Sequence, residues 1–441
     1  SNASASMLRD LGHETVPRDH PLTVTIPGCV DGLIALAERF GSQSLSRVLE
    51  PAITAAREGF PVSSEQARAF ATMVDVYVDN PAVSSFYPDR EPVTAGDVVT
   101  RADLARTLES VAAGGREAFY QGEPGADIVS ALEGFVTAED LEANQAEWVD
   151  PINVTVGQDT AWMVPPNSAG YLGPGTLAVF ARLDPPDDPR DPLWWHLLIE
   201  AHRALAWERD LLVSDPRSAR IPPQELLSEA RLNRAAGLVS RAGAGFFPSR
   251  PTQPTGTAFM CVADEVGTAV SIINSNYRGT GSPFGAAQSG FLLHDRGAGF
   301  SLEPGHPAEM LPGMRPAHTL SPTLWTRGET ASWIIGTRGG EIQPQLIAQL
   351  AARLVISDQP LSVAQAAPRW SMTEYGPQSG SSVSLEPGTG IADALRHLGH
   401  QVNEMADLQP GWGPMSVIDR RRTEVLAAAD PRVDTATALV F

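Results

Sequence analysis

The chain of 441 residues is long enough to bury a sizeable core, in one large domain or two. Its 32 basic residues are all arginine, and 52 acids leave a net charge of −20, which argues against nucleic acid or an anionic membrane as partner. No apolar run reaches membrane-spanning length, no signal peptide is visible, and two cysteines, Cys29 and Cys261, are too few for a disulfide framework or a cysteine-based metal site.

Ser1-Asn2-Ala3 reads as an expression-tag remnant and is set aside. The first half is mostly helical in pattern. Apolar residues recur at helical spacing from Val30 to Phe40, with Gly41 as the stop, and helices are also expected over Ser44 to Glu58 and Ser63 to Val76. Thr100 with Asp103, and Thr137 with Asp140, have the shape of capping boxes, the first opening a helix that should end at Gly114-Gly115. From Pro151 the pattern changes to two strands, Pro151 to Gln158 and Thr160 to Val164, followed by the rigid turn Pro165 to Gly170. Helices are then expected around Leu172 to Arg182, over Leu193 to Leu212 and over Pro223 to Ser240, with Trp194, Trp195 and Trp207 as packing residues. Cys29 and Cys261 lie in apolar contexts and are expected to be small buried hydrophobes.

The chain is organised around Thr257 to Ser275. Two runs of β-branched and apolar residues flank the turn Asp264-Glu-Val-Gly267, and apolar residues on both faces predict a strand pair covered on each side. The loop before it, Ser249 to Gly256, is rich in Pro, Thr and Gly, as exposed linkers are. A threonine hydroxyl becomes a useful nucleophile when a base lies within hydrogen-bond reach, and its own freed α-amine, with a pKa of about 8, can be that base. Cleavage of Gly256–Thr257 would create such a group. The plain alternative is that Thr257 is an ordinary strand-starting residue.

Downstream the chain reads Ser289-Gly-Phe-Leu-Leu293, Gly297-Ala-Gly-Phe-Ser301, Glu303-Pro-Gly-His306, Arg315-Pro-Ala-His-Thr319 and Gly336-Thr-Arg-Gly-Gly-Glu341. This order of motifs resembles the γ-glutamyltranspeptidase family of N-terminal-nucleophile hydrolases, with TAFMCVAD in the place of the family's TTHxSVVD. It is most similar to the acylase branch, and the resemblance runs from about Pro21 to Phe441. It implies an α+β fold, a four-layer α-β-β-α sandwich of the N-terminal-nucleophile type, with part of the family's N-terminal region, which carries a substrate-binding arginine, expected to be missing from the given sequence. It also implies one globular domain divided by self-cleavage into residues 4–256 and 257–441.

Carried over residue by residue, the resemblance gives Thr257 as nucleophile and Ser275 as the hydroxyl that bonds it. Gly339 and Gly340 become the backbone oxyanion donors, and Gly256 and Thr257 the cleavage site. Asn276, one residue out of register with a substrate-contacting asparagine, joins Arg296, His318 and Thr319 as expected substrate contacts. The family holds the glutamyl α-amine with an aspartate, and that position is Gly299 here. A simpler acyl amide, with a carboxylated side chain, therefore fits better than a zwitterionic γ-glutamyl head.

The expected function is a self-processing amide hydrolase or acyltransferase acting on γ-glutamyl or related acyl amides through a threonyl acyl-enzyme. The other reading is an unprocessed, inactive homologue serving as a scaffold or binding protein. No HExxH, Cys/His cluster or phosphate-type glycine loop is present, so no cofactor and no metal are expected. The expected partners are a small-molecule amide and the chain's own two processed segments, with a homodimer compatible. Localisation is open between the cytoplasm and a periplasmic or secreted site.

Overall fold

The computed structural model describes residues 3–143, 146–247, 256–372, 382–387, 390–422 and 424–440. The chain forms two compact units, each built from two stretches: Ser1–Trp148 with Asn276–Pro316, and Val149–Ser275 with Ala317–Phe441.

The first unit is largely helical. Its main helices are α1 (Cys29–Phe40), α2 (Leu45–Glu58) and α3 (Ala102–Tyr120). Ser44 caps α2 by accepting from Arg47 N at 3.3 Å, which satisfies one of the donors a helix start leaves open. The capping box at Thr137 and Asp140 forms as expected. The one expected at Thr100 does not: Val99 is drawn into a short pairing with Phe60, and α3 starts after Arg101 with no side-chain cap. Nor does α3 end at its glycine pair. Gly115 takes φ 58° and breaks the turn, but the helix resumes because Phe119 and Tyr120 are buried, Phe119 stacking on Phe291.

The second unit is a layered α/β body. In chain order its strands are β1 (Ile152–Val156), β2 (Asp159–Met163), the hairpin pair β3 (Gly256–Ala263) and β4 (Ala269–Tyr277), then β5 (Thr323–Arg327), β6 (Thr330–Thr337), β7 (Met415–Asp419) and β8 (Leu426–Ala428). The last two residues of β4 count with the first unit. Six strands form one antiparallel sheet in the order β8-β7-β6-β5-β2-β1, with Trp333 opposite Trp325 and Ile335 opposite Val417. The strand β6 is buried along nearly its whole length, as a central strand between two layers should be.

Helices α4 (Leu172–Ala181) and α7 (Gln343–Ala351) pack on this sheet and on each other, α5 (Pro192–Ala206) packs on both helices, and the short α6 (Arg209–Leu212) follows α5. Close approach explains the glycines of α4: a Cβ on Gly175 would come within 2.7 Å of Leu205 and 2.9 Å of Leu227. The expected single helix from Leu193 to Leu212 is interrupted at Trp207, which is 38% exposed and not a packing residue like the buried Trp194 and Trp195.

The hairpin β3–β4 forms its own two-stranded sheet and lies against β6 and β7. Burial alternates along β3. Thr257, Phe259, Cys261 and Ala263 are half-buried, while Ala258, Met260 and Val262 are exposed. Coverage on both faces, expected from the apolar pattern, is thus found on one face only along β3, whereas β4 is half-buried on both faces from Ala269 to Ile273. The cysteine expectation fails for the same reason of placement: Cys29 is exposed at the start of α1, and Cys261 is half-buried.

Candidate active site

The hairpin's register sets the first contact. Asp264 Oδ1 accepts from Gly267 N at 2.9 Å and Thr268 N at 2.7 Å, and Asp264 N donates to Thr268 O at 3.0 Å. Gly267, at φ 111°, supplies the backbone conformation the turn needs. Counting seven residues outward from Asp264 and Thr268, this register sets Thr257 opposite Ser275. Thr257 Oγ1 donates to Ser275 Oγ at 3.2 Å. The two residues that the resemblance paired as nucleophile and orienting hydroxyl are therefore in hydrogen-bond contact. Residues 249–255 of the loop expected before the cleavage site lie outside the described residues.

The hairpin is seated by one aromatic ring. Phe259, two residues on from Thr257 and on the same face, lies directly over Gly336 of β6. A Cβ there would fall 2.1 Å from the ring, so only glycine admits it. Gly336 leads through Thr337 into the turn Gly339-Gly340.

That turn has unusual backbone. Gly339 has φ 122° and Gly340 φ 59°, both in the region that side chains disfavour, and a Cβ on Gly339 would also meet Ile342 at 2.9 Å. Neighbours hold it from three directions. The Thr337 hydroxyl lies 3.2 Å from Gly413 O and 3.0 Å from Pro414 O. Gln343 Oε1 accepts from Ser321 N at 3.2 Å. Glu341 Oε1 accepts from Arg209 Nη2 at 3.1 Å. The turn then enters α7. A helix start gathers N–H donors and favours negative charge, so the location suits stabilisation of a developing oxyanion.

His318 and Thr319 belong to the same unit. His318 N donates to Asn167 O at 2.9 Å, its carbonyl accepts from Ala169 N at 2.8 Å, and its Nδ1 accepts from Leu320 N at 3.2 Å. That last bond leaves Nε2 as the protonated ring nitrogen of the neutral side chain. Thr319 is buried, and its carbonyl accepts from the Ser321 hydroxyl at 2.9 Å. Ser321 in turn is the residue that Gln343 holds, so this segment is tied to the first turn of α7.

Asn276 and Arg296 are part of the first unit. Asn276 Nδ2 donates to Thr280 O at 3.1 Å. Arg296 is buried, with its guanidinium 4.5 Å from the centre of the Tyr277 ring, and burial pulls it down to about 10. Tyr277 itself has φ 77°, a left-handed conformation that costs a bulky residue on the order of 1–3 kcal/mol. Asp295 beside it is fully buried. It accepts from Arg278 N at 2.9 Å and faces Arg18 at 3.8 Å. Burial pushes its carboxyl upward, against the opposing pull of the Arg278 amide and of Arg18, Arg278 and Arg296.

Sequence reasoning missed Phe259, Arg209 and Asp295. Phe259 gave no signal beyond its place in an alternating strand. Arg209 is 132 positions from its partner Glu341. Asp295 falls between two of the quoted motifs, at 289–293 and 297–301.

The profile of the family described as Gamma-glutamyltranspeptidase matches residues 1–440. The glutathione hydrolase-like YwrD proenzyme of Bacillus subtilis is 31% identical over 436 residues, covering 96% of this chain and 82% of the relative. The oxamate amidohydrolase proenzyme of Klebsiella pneumoniae is 32% identical over 440 residues, covering 97% and 83%. The crystal structure of cephalosporin acylase from Bacillus halodurans superposes with a TM-score of 0.90 at 27% identity, covering 99% of this chain and 82% of that one. Matched along nearly its whole length in sequence and fold, this chain belongs to the γ-glutamyltranspeptidase family, on its acylase side, as an amide hydrolase with the N-terminal-nucleophile fold.

Proposed function

We propose that the chain cleaves itself between Gly256 and Thr257 and then hydrolyses acyl amides through Thr257. The observation that carries this reading is the contact of Thr257 Oγ1 with Ser275 Oγ at 3.2 Å, in a hairpin whose register fixes the pair. Once freed, the Thr257 α-amine takes the Oγ proton as Oγ attacks the amide carbonyl carbon. The oxyanion that forms is met by the backbone N–H groups of Gly339 and Gly340. The C–N bond then breaks, the amine passes the proton to the leaving nitrogen, and an ester of Thr257 remains. Water, or an acceptor amine, attacks the ester carbonyl, releases the acyl group and restores the hydroxyl.

The preferred acyl group carries a carboxylate and lacks an α-amine. Gly299, in the short helical turn Arg296–Gly299, offers no side chain to an ammonium, and the nearby Asp295 is fully buried. Arg18, Arg278 and Arg296 surround that one carboxylate, a positive surplus that favours an anionic group. Asn276, Arg296, His318 and Thr319 are assigned as the substrate contacts on the strength of the resemblance. The test is kcat/KM for a matched pair of anilides, glutaryl and γ-glutamyl. The glutaryl member is expected to be the better substrate, and Gly299→Asp should move the preference at least tenfold toward the γ-glutamyl member, or about 1.4 kcal/mol. A wild type that prefers the γ-glutamyl anilide tenfold would sink the acylase assignment.

A further inference from the structure

The turn Gly339-Gly340 carries no side chains with which to fix itself, and glycine backbone has the widest conformational choice. Its geometry must be imposed from outside. On the strand side, Thr337 is bonded to the 413–414 backbone. On the helical side, Glu341, the residue directly after Gly340, meets Arg209 of α6 at 3.1 Å, with the two side chains only 7% and 15% exposed. We propose that Arg209 is a positioning residue for the oxyanion turn and acts through Glu341. The proposal rests on the reading of Gly339 and Gly340 as oxyanion donors.

Three observations carry it. The Glu341 carboxylate is nearly buried, and a charge there is tolerated only against a cation, so the pair must stay closed. Glu208, on the other side of Arg209 in the chain, is engaged by Arg231 at 2.6 Å and Arg234 at 3.2 Å. Asp210 lies 4.0 Å from Arg209, beyond hydrogen-bond range, and Glu341 makes the closer contact. Buried pairs are poor sources of net stability, since apolar residues can replace them. What such a pair supplies is direction: it anchors the residue that follows Gly340, and with it the backbone from which the Gly339 and Gly340 N–H groups point. An oxyanion donor displaced by a fraction of an ångström loses much of its effect.

The test uses the full chain with Arg209→Met, Glu341→Gln and the double variant, read by hydrogen exchange and by steady-state kinetics on an acyl anilide. Exchange reports on the turn whether or not the chain has cleaved itself. In Arg209→Met, amide exchange across 339–343 is expected to rise at least tenfold while 323–337 is unchanged. Its kcat should fall about tenfold with KM within twofold. The double variant should lose no more than Arg209→Met alone, and Arg209→Lys should recover part of kcat. Should Arg209→Met fail to fold, Glu341→Gln, which keeps a neutral acceptor for Arg209, should show the same pattern at smaller size. Unchanged exchange in the turn would overturn the positioning role and leave the oxyanion reading intact. Faster exchange with unchanged kcat would overturn the oxyanion reading and the proposal with it.

Discussion

Two regions of the second unit that the proposed mechanism joins in one reaction are built in opposite ways. The turn 336–343 is largely buried, Gly339 and Gly340 sit at positive φ, and it is tied to the neighbouring backbone, to Ser321 and to Arg209. In the hairpin, the strand β3 is covered on one face only. Its inward residues are half-buried, and Met260 and Val262 on the outer face are 55% and 61% exposed. The two regions therefore tolerate change differently. In the turn, a Cβ on Gly336 or on Gly339 would meet a neighbour. The strand β3 lies against β6 and β7 with Phe259 over Gly336, and its register is set by the turn at Asp264.

The largest expected effect separates chemistry from structure. Thr257→Ala should abolish both self-cleavage and amide hydrolysis with the fold intact, because no other hydroxyl replaces Oγ1, and Thr257→Ser should keep part of each. Denaturing electrophoresis and an anilide assay check this. Wild-type turnover in the alanine variant would remove Thr257 from the mechanism.

Next comes the turn. Gly339→Ala places a Cβ 2.9 Å from Ile342 at a φ of 122°. The expected loss is about 3 kcal/mol in transition-state binding, seen in kcat more than in KM. If kcat stays within twofold of the wild type, the turn does not serve the oxyanion.

Phe259→Ala probes the hairpin's seat. Removing a half-buried ring from its glycine should cost about 2–3 kcal/mol, below the range for a fully buried aromatic. Chemical denaturation measures it, and self-cleavage should slow in parallel as Thr257 loses its fixed position. A stability change without slower cleavage would show that the seat is not what places the nucleophile.

The smallest effect is expected on the outer face. Met260→Gln should change stability by no more than about 0.5 kcal/mol, as exposed positions do, and leave cleavage untouched. A large loss would mean that this face is covered in solution.

Much of this was legible in the sequence because it is local. The turn at Asp264 and Gly267 fixes the hairpin, and with it the pairing of Thr257 and Ser275, from residues close together in the chain. The strands before Pro165 and the capping box at Thr137 follow from period and cap chemistry in the same way. What escaped was set by tertiary contact. The apolar period of β3 announces two faces but not which of them finds a neighbour. Gly114-Gly115 reads as a stop, and only the burial of Phe119 and Tyr120 carries the helix past it. Trp207 breaks an otherwise regular helical stretch for no reason visible in its own neighbourhood. The tie between Arg209 and Glu341 joins positions 132 apart, which no local pattern reports.

The central claim is that Thr257 becomes a chain terminus. N-terminal sequencing with intact-mass measurement of the purified protein tests it most directly. Two polypeptides are expected, residues 1–256 and 257–441, with the second beginning at Thr257. A single intact chain that nonetheless hydrolyses acyl amides, or a second chain beginning at any other residue, would contradict it.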